Sequence, residues 1–142
     1  MRIAFYAQQA ILTAVMTTSS KPKLVAVVDD DELVRIALQR LLKAAGLGVV
    51  SFASAEDFLK SGQLSEMACL IVDIRMPGMS GLDLQTKLKA ERPVPIIFIT
   101  AHGDEKMRIQ AMRAGAVAFL AKPFDSGILL DRVRAALESM ST

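Results

Sequence analysis

Residues 68–81 read ACLIVDIRMPGMSG, and this stretch decides the fold. Its first five residues are apolar without alternation, which is typical of a strand that is covered on both faces of a sheet. Asp73 follows that strand directly, and Met76-Pro77-Gly78 then favours a turn. A buried strand that ends in a carboxylate predicts a parallel sheet with a polar group at the carboxyl end of this strand.

The same kind of apolar run recurs along the chain from Leu24 onward. Five runs predict strands at 24–28, 49–52, 68–72, 95–100 and 116–121. Five helix patterns alternate with them: one with apolar positions from Val34 to Ala45, one at 54–62 opened by a capping box of Ser54 and Asp57, and three near 82–91, 104–114 and 125–138. The alternation predicts an α/β fold, a doubly wound (βα)5 with a five-stranded parallel sheet in the flavodoxin-like order 2-1-3-4-5.

The composition excludes several classes of protein. The chain has 142 residues, 52% of them hydrophobic and 23% charged, which suits one domain with an ordinary core. Cys69 and His102 are its single cysteine and histidine, so an internal disulfide and metal centres with several cysteines or histidines are excluded. No apolar run approaches the roughly 18 residues that span a bilayer, so we expect no membrane contact.

The formal net charge of +2 is unevenly distributed. Residues 1–23 hold three bases and no acid, whereas residues 24–142 hold 14 bases and 15 acids. Because this near-neutral body has no basic stripe, we expect no direct contact with nucleic acid. We expect 1–23 to be a flexible extension or a mis-assigned start, with Met16 as the natural start, and 24–142 to form the domain. The segment makes a poor secretory signal, so we expect a cytoplasmic protein.

Polar residues collect at the predicted carboxyl ends of the strands. Asp29 and Asp30 follow the first strand, Asp73 follows the third, Thr100 ends the fourth and Lys122 ends the fifth. In an open parallel sheet these ends share one edge, where ligands bind. Carboxylates without histidine or cysteine favour Mg²⁺ or Mn²⁺, and a carboxylate can itself accept a phosphoryl group. Lysine and threonine side chains can contact phosphoryl oxygens, so the set predicts phosphoryl transfer.

Four motifs resemble those of the receiver domain of two-component response regulators, and their sequences are similar to the FixJ-like branch. They are VVDDDELVR at 27–35, LIVDIRMPGMSGLDL at 70–84, IIFITAHGD at 96–104 and AFLAKPF at 118–124. All four occur in order and at the spacing of that family. The resemblance implies a signalling domain that catalyses only its own phosphorylation and dephosphorylation, rather than an enzyme for external substrates.

The resemblance also assigns the acceptor and the metal site. It implies that Asp73 accepts a phosphoryl group from a histidine kinase or a phosphotransfer protein. It implies that Asp29 and Asp30 bind Mg²⁺ together with the Asp73 carboxylate and the backbone carbonyl of Arg75. An aspartate pair one residue later in the chain is disfavoured, because Arg35 then loses the spacing at which the family places a basic residue.

Other residues are assigned to the phosphoryl group and to a switch. By resemblance, Thr100, Lys122 and the backbone N–H of Ala101 contact the phosphoryl oxygens. Thr100 moving inward frees space for the aromatic switch residue Phe119, which changes the surface of the fourth helix, the fifth strand and the fifth helix. Phe119 is equally well explained as an ordinary core residue of a strand. Pro123 matches the family's proline after a cis peptide bond.

Two further positions bear on the lifetime of the phosphorylated state. By resemblance, Arg75 contributes a backbone N–H to the phosphoryl group. Its side chain and His102 occupy the two positions that flank this group and tune its hydrolysis. A large base and a histidine at these positions leave the lifetime open.

The output of the protein is a separate question. The chain stops at Thr142 after the last predicted helix, which favours a stand-alone receiver, monomeric or dimerising on phosphorylation, that docks to a downstream protein. The alternative is a receiver fragment of a FixJ-like DNA-binding transcriptional regulator.

Rivals from other classes are weaker. An aspartate-nucleophile phosphatase carries a second aspartate where this chain has Arg75. A flavin-binding carrier needs a hydroxyl- and glycine-rich loop after the first strand, where three acids stand here. A receiver that never takes phosphate is disfavoured because every chemical position is filled.

Overall fold

The computed structural model describes residues 23–101 and 104–139. The predicted extension before Lys23, and His102, lie outside the described residues. The strands are β1 (Leu24–Val28), β2 (Gly48–Phe52), β3 (Met67–Asp73), β4 (Ile96–Thr100) and β5 (Ala118–Ala121). The helices are α1 (Glu32–Ala44), α2 (Ala55–Lys60), α3 (Gly81–Glu91), α4 (Glu105–Arg113) and α5 (Ser126–Ser139). Among the described residues, none of these helices is long and apolar enough to cross a membrane.

The five strands form one parallel sheet in the order β2-β1-β3-β4-β5, which confirms the predicted fold. The order reverses between β1 and β3, so the loops that leave these two strands diverge and open a crevice at their carboxyl ends. In the sheet register, Val28 lies beside Val72, and Thr100 lies beside Ala121. This register aligns the strand ends that carry the polar residues.

Each face of the sheet packs against its own group of helices. Every residue of β3 is buried, because its side chains alternate between the two faces and both faces are covered. On one face, Leu70 and Val72 pack with Phe58 of α2, Leu84 of α3 and Ala111 of α4. On the other face, the buried side chains of α1 and α5 pack against the sheet: Leu38, Leu42, Leu129 and Val133.

Side chains cap the helices at the ends that point toward the site. Ser54 Oγ accepts a hydrogen bond from the Asp57 N–H at 3.0 Å, which is one half of the capping box predicted there. The complete reciprocal box lies at α3, between Ser80 and Asp83. Asp31 and Asp104 cap α1 and α4 through their carboxylates. These caps satisfy N–H groups that the first helical turn leaves without partners.

The fifth strand is shorter than its sequence pattern predicts. It begins at Ala118 rather than at residue 116. Gly115, with φ of 104°, lies two residues after α4, and the Ala116 N–H donates to the Ala111 carbonyl of that helix at 3.0 Å. Because this N–H is used by the helix, strand pairing starts later in the chain. A short 3-10 helix at Leu64–Glu66 was also not predicted, since three residues carry no periodic pattern.

Candidate functional site

Four strands bring polar side chains to one end of the sheet, which we call the carboxyl edge. Asp73 and Thr100 are the last residues of β3 and β4, Asp29 follows β1, and Lys122 follows β5. Asp29 is fully buried, and Asp73 and Thr100 are 6% and 2% exposed. Buried carboxylates are costly unless other groups neutralise or hydrogen-bond them, so their partners define the site.

Lys122 is the cation that links the two buried carboxylates. Its ammonium Nζ donates to Asp29 Oδ2 at 2.8 Å and to Asp73 Oδ2 at 3.1 Å. The Lys122 side chain is itself only 16% exposed, so these ion pairs are shielded from solvent. One positive charge is therefore shared by two negative ones in a partly buried place, which leaves the cluster short of positive charge.

Asp30 adds a third carboxylate at the mouth of the cluster. One oxygen from each of Asp29, Asp30 and Asp73 lies within 4.8 Å of the others, and Asp30 is exposed. Carboxylate oxygens that converge without nitrogen or sulfur ligands suit a hard divalent cation such as Mg²⁺ or Mn²⁺. The residues therefore fit the metal that the resemblance implies.

Burial shifts the ionisation of this cluster. Burial raises the pKa of the Asp29 carboxyl above its ordinary value, and hydrogen bonds from Lys122 and the Asp31 N–H offset this shift only in part. Burial alone would lower the pKa of the Lys122 ammonium, but its hydrogen bonds to Asp29 and Asp73 outweigh burial and raise it. Lys122 therefore stays charged near neutral pH, while Asp29 gains from any further positive charge brought to the site.

Three hydrogen bonds fix Asp29, two through its backbone and one through its carboxylate. The Asp29 N–H donates to the Phe52 carbonyl at 3.1 Å, which ties it to the end of β2. Arg35 Nη1 of α1 donates to the Asp29 carbonyl oxygen at 2.8 Å. The Asp31 N–H donates to Asp29 Oδ1 at 2.9 Å, so the carboxylate orientation is fixed as well. Arg35 thus has a structural partner at the site that its sequence spacing alone does not reveal.

The loop after β3 is closed tightly around Asp73. The Arg75 N–H donates to Asp73 Oδ1 at 3.2 Å, and the Gly81 N–H donates to the Ile74 carbonyl at 2.8 Å. A Cβ at Gly81 would lie 2.4 Å from the Asp73 carbonyl oxygen, so a side chain there would displace the backbone that carries the carboxylate. Arg75 itself is exposed, beside the cluster.

Thr100 and Phe119, on the neighbouring strands β4 and β5, face one cavity. Both line a cavity of about 270 Å³, together with Ala101 and Arg108. The Phe119 ring is half-buried, and its centroid lies 6.4 Å from that of Phe98. The cavity therefore offers the Phe119 side chain space beside Thr100.

Lys122 is joined to the neighbouring strand and to a proline. Its backbone N–H donates to the Thr100 carbonyl at 2.9 Å, which fixes the end of β5 against β4. The Lys122–Pro123 peptide bond is cis. The backbone of Lys122 is thus held at the carboxyl edge, where its ammonium pairs with the carboxylates of Asp29 and Asp73.

Glu56 contacts the loop after β3, and the sequence does not predict this contact. It lies in α2, and its Oε2 accepts a hydrogen bond from the Met79 N–H in the loop after β3, at 2.8 Å. The two residues are 23 positions apart, so no local spacing signals the contact.

Comparisons with known proteins agree with this geometry. The family model of the response regulator receiver domain matches residues 25–134. Nodulation protein W of Bradyrhizobium diazoefficiens is 48% identical over 86% of this chain and 54% of its own length. The transcriptional regulatory protein FixJ of Azorhizobium caulinodans is 43% identical over 80% of this chain and 54% of its own length. The chain thus spans about half the length of these curated relatives.

Solved structures show the same fold. The response regulator StyR superposes with a TM-score of 0.79 at 46% identity, over 85% of this chain and 62% of that one. A response regulator receiver protein from Pseudomonas putida superposes with a TM-score of 0.76 at 34% identity, over 82% of this chain and 98% of that one. From the matched family, the strand order and the similarity to FixJ, the chain belongs to the response regulator receiver domains, with a FixJ-like sequence.

Proposed function

We propose that Asp73 accepts a phosphoryl group from a histidine kinase or a phosphotransfer protein, in a reaction that requires Mg²⁺ or Mn²⁺. The observation that carries this proposal is the Lys122 bridge between two buried carboxylates at 2.8 and 3.1 Å, with Asp30 beside them. Such a cluster costs stability unless a cation joins it, and positive charge beside a nucleophilic carboxylate is what phosphoryl transfer needs. The protein is then a signalling phosphoacceptor that acts only on itself.

In the proposed step, one carboxylate oxygen of Asp73 attacks the phosphorus of a phosphohistidine. An O–P bond forms as the P–N bond breaks, and the electron pair remains on the imidazole nitrogen of the donor. Asp29, Asp30 and Asp73, with the Arg75 carbonyl, would hold the metal, which would supply positive charge to offset the phosphoryl charge.

The chain's own donors then hold the phosphorylated product. The new group carries nearly two negative charges, which compete with Asp29 for the Lys122 ammonium. The Thr100 hydroxyl and the N–H groups of Arg75 and Ala101 provide further hydrogen bonds to its oxygens. By resemblance to the family, Arg75 and His102 occupy the two sequence positions that tune its rate of hydrolysis.

The readout we propose is a change in packing next to Thr100. When Thr100 moves toward the phosphoryl group, the adjacent cavity of about 270 Å³ admits the half-buried Phe119 ring. The surface formed by α4, β5 and α5 then differs between the two states, and a downstream protein, or a second copy of the chain, recognises one of them.

The output remains a choice between two proposals. We favour a cytoplasmic receiver that docks to another protein, because the predicted body of the chain is near neutral and has no basic stripe. The alternative is a receiver that acts within a DNA-binding regulator, and one observation supports it. The chain spans about half of relatives such as FixJ, which is named a transcriptional regulatory protein.

Intact mass spectrometry after incubation with acetyl phosphate tests the proposal. We expect one added phosphate with Mg²⁺, none with EDTA, and none in Asp73→Asn, which is nearly isosteric and keeps the fold. Uptake of phosphate by the Asn variant would overturn the assignment of the acceptor. No uptake by the folded wild type, from acetyl phosphate or from a phosphorylated kinase, would overturn the function itself.

A further inference from the structure

The loop that follows Asp73 has open space on one side. A cavity of about 490 Å³ lies against it, lined by Arg75, Met76 and Pro77 of the loop and by Met107 of α4. Met76 is buried and packs into the hydrophobic core, whereas Arg75 and Pro77 are exposed along the cavity. Apart from this one buried side chain, the contacts that hold the loop beside Asp73 lie at its ends and on the side away from the cavity.

The ends of the loop are held close to Asp73. Arg75 donates its N–H to Asp73 Oδ1, and Gly81 donates its N–H to the Ile74 carbonyl at 2.8 Å. The reciprocal cap between Ser80 and Asp83 then starts α3. These contacts are local, and none of them ties the middle of the loop to another helix.

Glu56 supplies that tie from α2. Its Oε2 accepts the Met79 N–H at 2.8 Å, and this hydrogen bond holds the pKa of the Glu56 carboxyl below its usual value. Gly78 has φ of 78°, and a Cβ added there would lie 2.5 Å from the same Oε2. The loop backbone is therefore seated against the carboxylate, with no room for a side chain between them.

We propose that Glu56 is a positioning residue that holds the loop of residues 75–79 beside Asp73 and thereby strengthens Mg²⁺ binding. The inference rests on the proposed function, because Arg75 is the residue through which the loop reaches the metal and the phosphoryl group. An ordered loop presents the Arg75 backbone in place, whereas a loose loop must be ordered when the metal binds. Groups that orient metal ligands in this way typically change affinity by a factor of about 10 to 100.

Four variants separate this role from the general effect of an acid at a helix start. Glu56→Ala removes the acceptor, and Glu56→Asp keeps the charge but shortens the side chain by about 1.5 Å, the length of one carbon–carbon bond. Glu56→Gln keeps an oxygen that can accept the Met79 N–H. Asp57→Asn is the matched control, since Asp57 lies in the same helical turn, is exposed, and makes no hydrogen bond to the loop within residues 23–101.

Two measurements on these variants need no phosphorylation. Hydrogen exchange of the Met79 amide in EDTA measures how well the hydrogen bond to Glu56 protects it. Titration calorimetry with MgCl₂ measures the dissociation constant of Mg²⁺. We expect both Glu56→Ala and Glu56→Asp to exchange at least about tenfold faster and to bind Mg²⁺ about tenfold more weakly. Glu56→Gln should stay within about threefold of wild type, and Asp57→Asn should match wild type.

The Mg²⁺ concentration that half-saturates phosphate uptake from acetyl phosphate should rise by the same factor as the dissociation constant. The maximal rate at saturating Mg²⁺ should change less. If the Met79 amide of Glu56→Ala exchanges at the wild-type rate, Glu56 does not hold the loop. If it exchanges faster but Mg²⁺ affinity is unchanged, Glu56 does not position the metal site. If Glu56→Ala fails to fold, Glu56→Asp against Glu56→Gln decides between the same outcomes. If wild type takes up no phosphate, the proposed function fails, while exchange and calorimetry still decide the role of Glu56.

Discussion

The two ends of the sheet differ in whether a cation faces buried carboxylates. At the carboxyl edge, Lys122 faces two of them, and Arg35 donates to the Asp29 carbonyl. At the opposite end, which we call the amino edge, cations face backbone carbonyls. Arg92 Nη1 donates to the carbonyls of Leu64 and Met67 at 2.7 and 3.1 Å, and Lys23 Nζ donates to the Leu137 carbonyl at 3.1 Å.

The difference separates polar groups that complete the fold from those of the candidate site. Cations at the amino edge satisfy carbonyls where a helix ends and a strand begins, so they complete the hydrogen bonding of the fold. The carboxyl edge gathers like charges that folding alone does not favour, and a burial-raised pKa at Asp29 is one sign of that cost. A pKa shifted by burial among like charges is typical of sites that bind ligands or react.

The largest effect that would sharpen the comparison is expected for Lys122→Met. This variant removes the ammonium that we propose offsets charge on the transferring phosphoryl group, so the rate of phosphate uptake from acetyl phosphate should fall about 100-fold. Lys89→Met, an exposed lysine on α3, is the control and should react at the wild-type rate. Time courses by intact mass measure both, and a Lys122→Met rate within about threefold of wild type would contradict this role.

Arg92→Ala should affect stability and leave the chemistry intact. It removes charged hydrogen bonds to two carbonyls, so the free energy of unfolding in urea should fall by about 2 kcal/mol. Arg113→Ala, at an exposed base ending α4, should change it by less than about 0.5 kcal/mol. Phosphate uptake by folded Arg92→Ala should equal that of wild type. Slower phosphate uptake by folded Arg92→Ala would contradict the claim that the amino edge serves stability alone.

The smallest effect expected is a pH dependence that arises from Asp29. Because burial raises its pKa, the folded protein binds a proton on Asp29 at a higher pH than the unfolded chain does. The resulting stability is present below the ordinary value of 3.8 and is lost as pH rises through the folded pKa. In EDTA, the free energy of unfolding of wild type relative to Asp29→Asn should therefore decline with rising pH, and Mg²⁺ should reverse the decline. A difference that grows with pH in EDTA would contradict this reading of the site.

Most of the fold follows from local signals in the sequence. The uninterrupted apolar runs and the alternating helix patterns predict the five strands, their order, and helix ends within about two residues of those observed. The start of β5 differs because the Ala116 N–H is used to finish α4, and sequence periodicity does not reveal which partner an N–H takes. The capping box at Ser80 carries the same spacing as Ser54 and Asp57, so the signal for it was present.

The candidate site is predictable for a different reason. Strand ends in a parallel sheet meet at one edge, so Asp29, Asp73 and Lys122 could be placed together from chain order alone. Which side chains pair within the cluster could not be predicted from the sequence. Lys122 bonds to both Asp29 and Asp73, and this sharing depends on distances between side chains. Glu56 was missed because it meets Met79 only after α2 and the loop pack together.

Beryllofluoride, a stable mimic of a phosphoryl group, offers the most direct test of the central claim. Two-dimensional NMR of the ¹⁵N-labelled protein would follow the backbone amides as it is added with Mg²⁺. We predict stoichiometric binding with large shifts at Asp29, Arg75 and Ala101, little change at Lys23 and Arg92, and no binding in EDTA or in Asp73→Asn. Absence of binding to wild type, or equal shifts at both edges, would contradict the claim that the chemistry of this protein lies at the carboxyl edge.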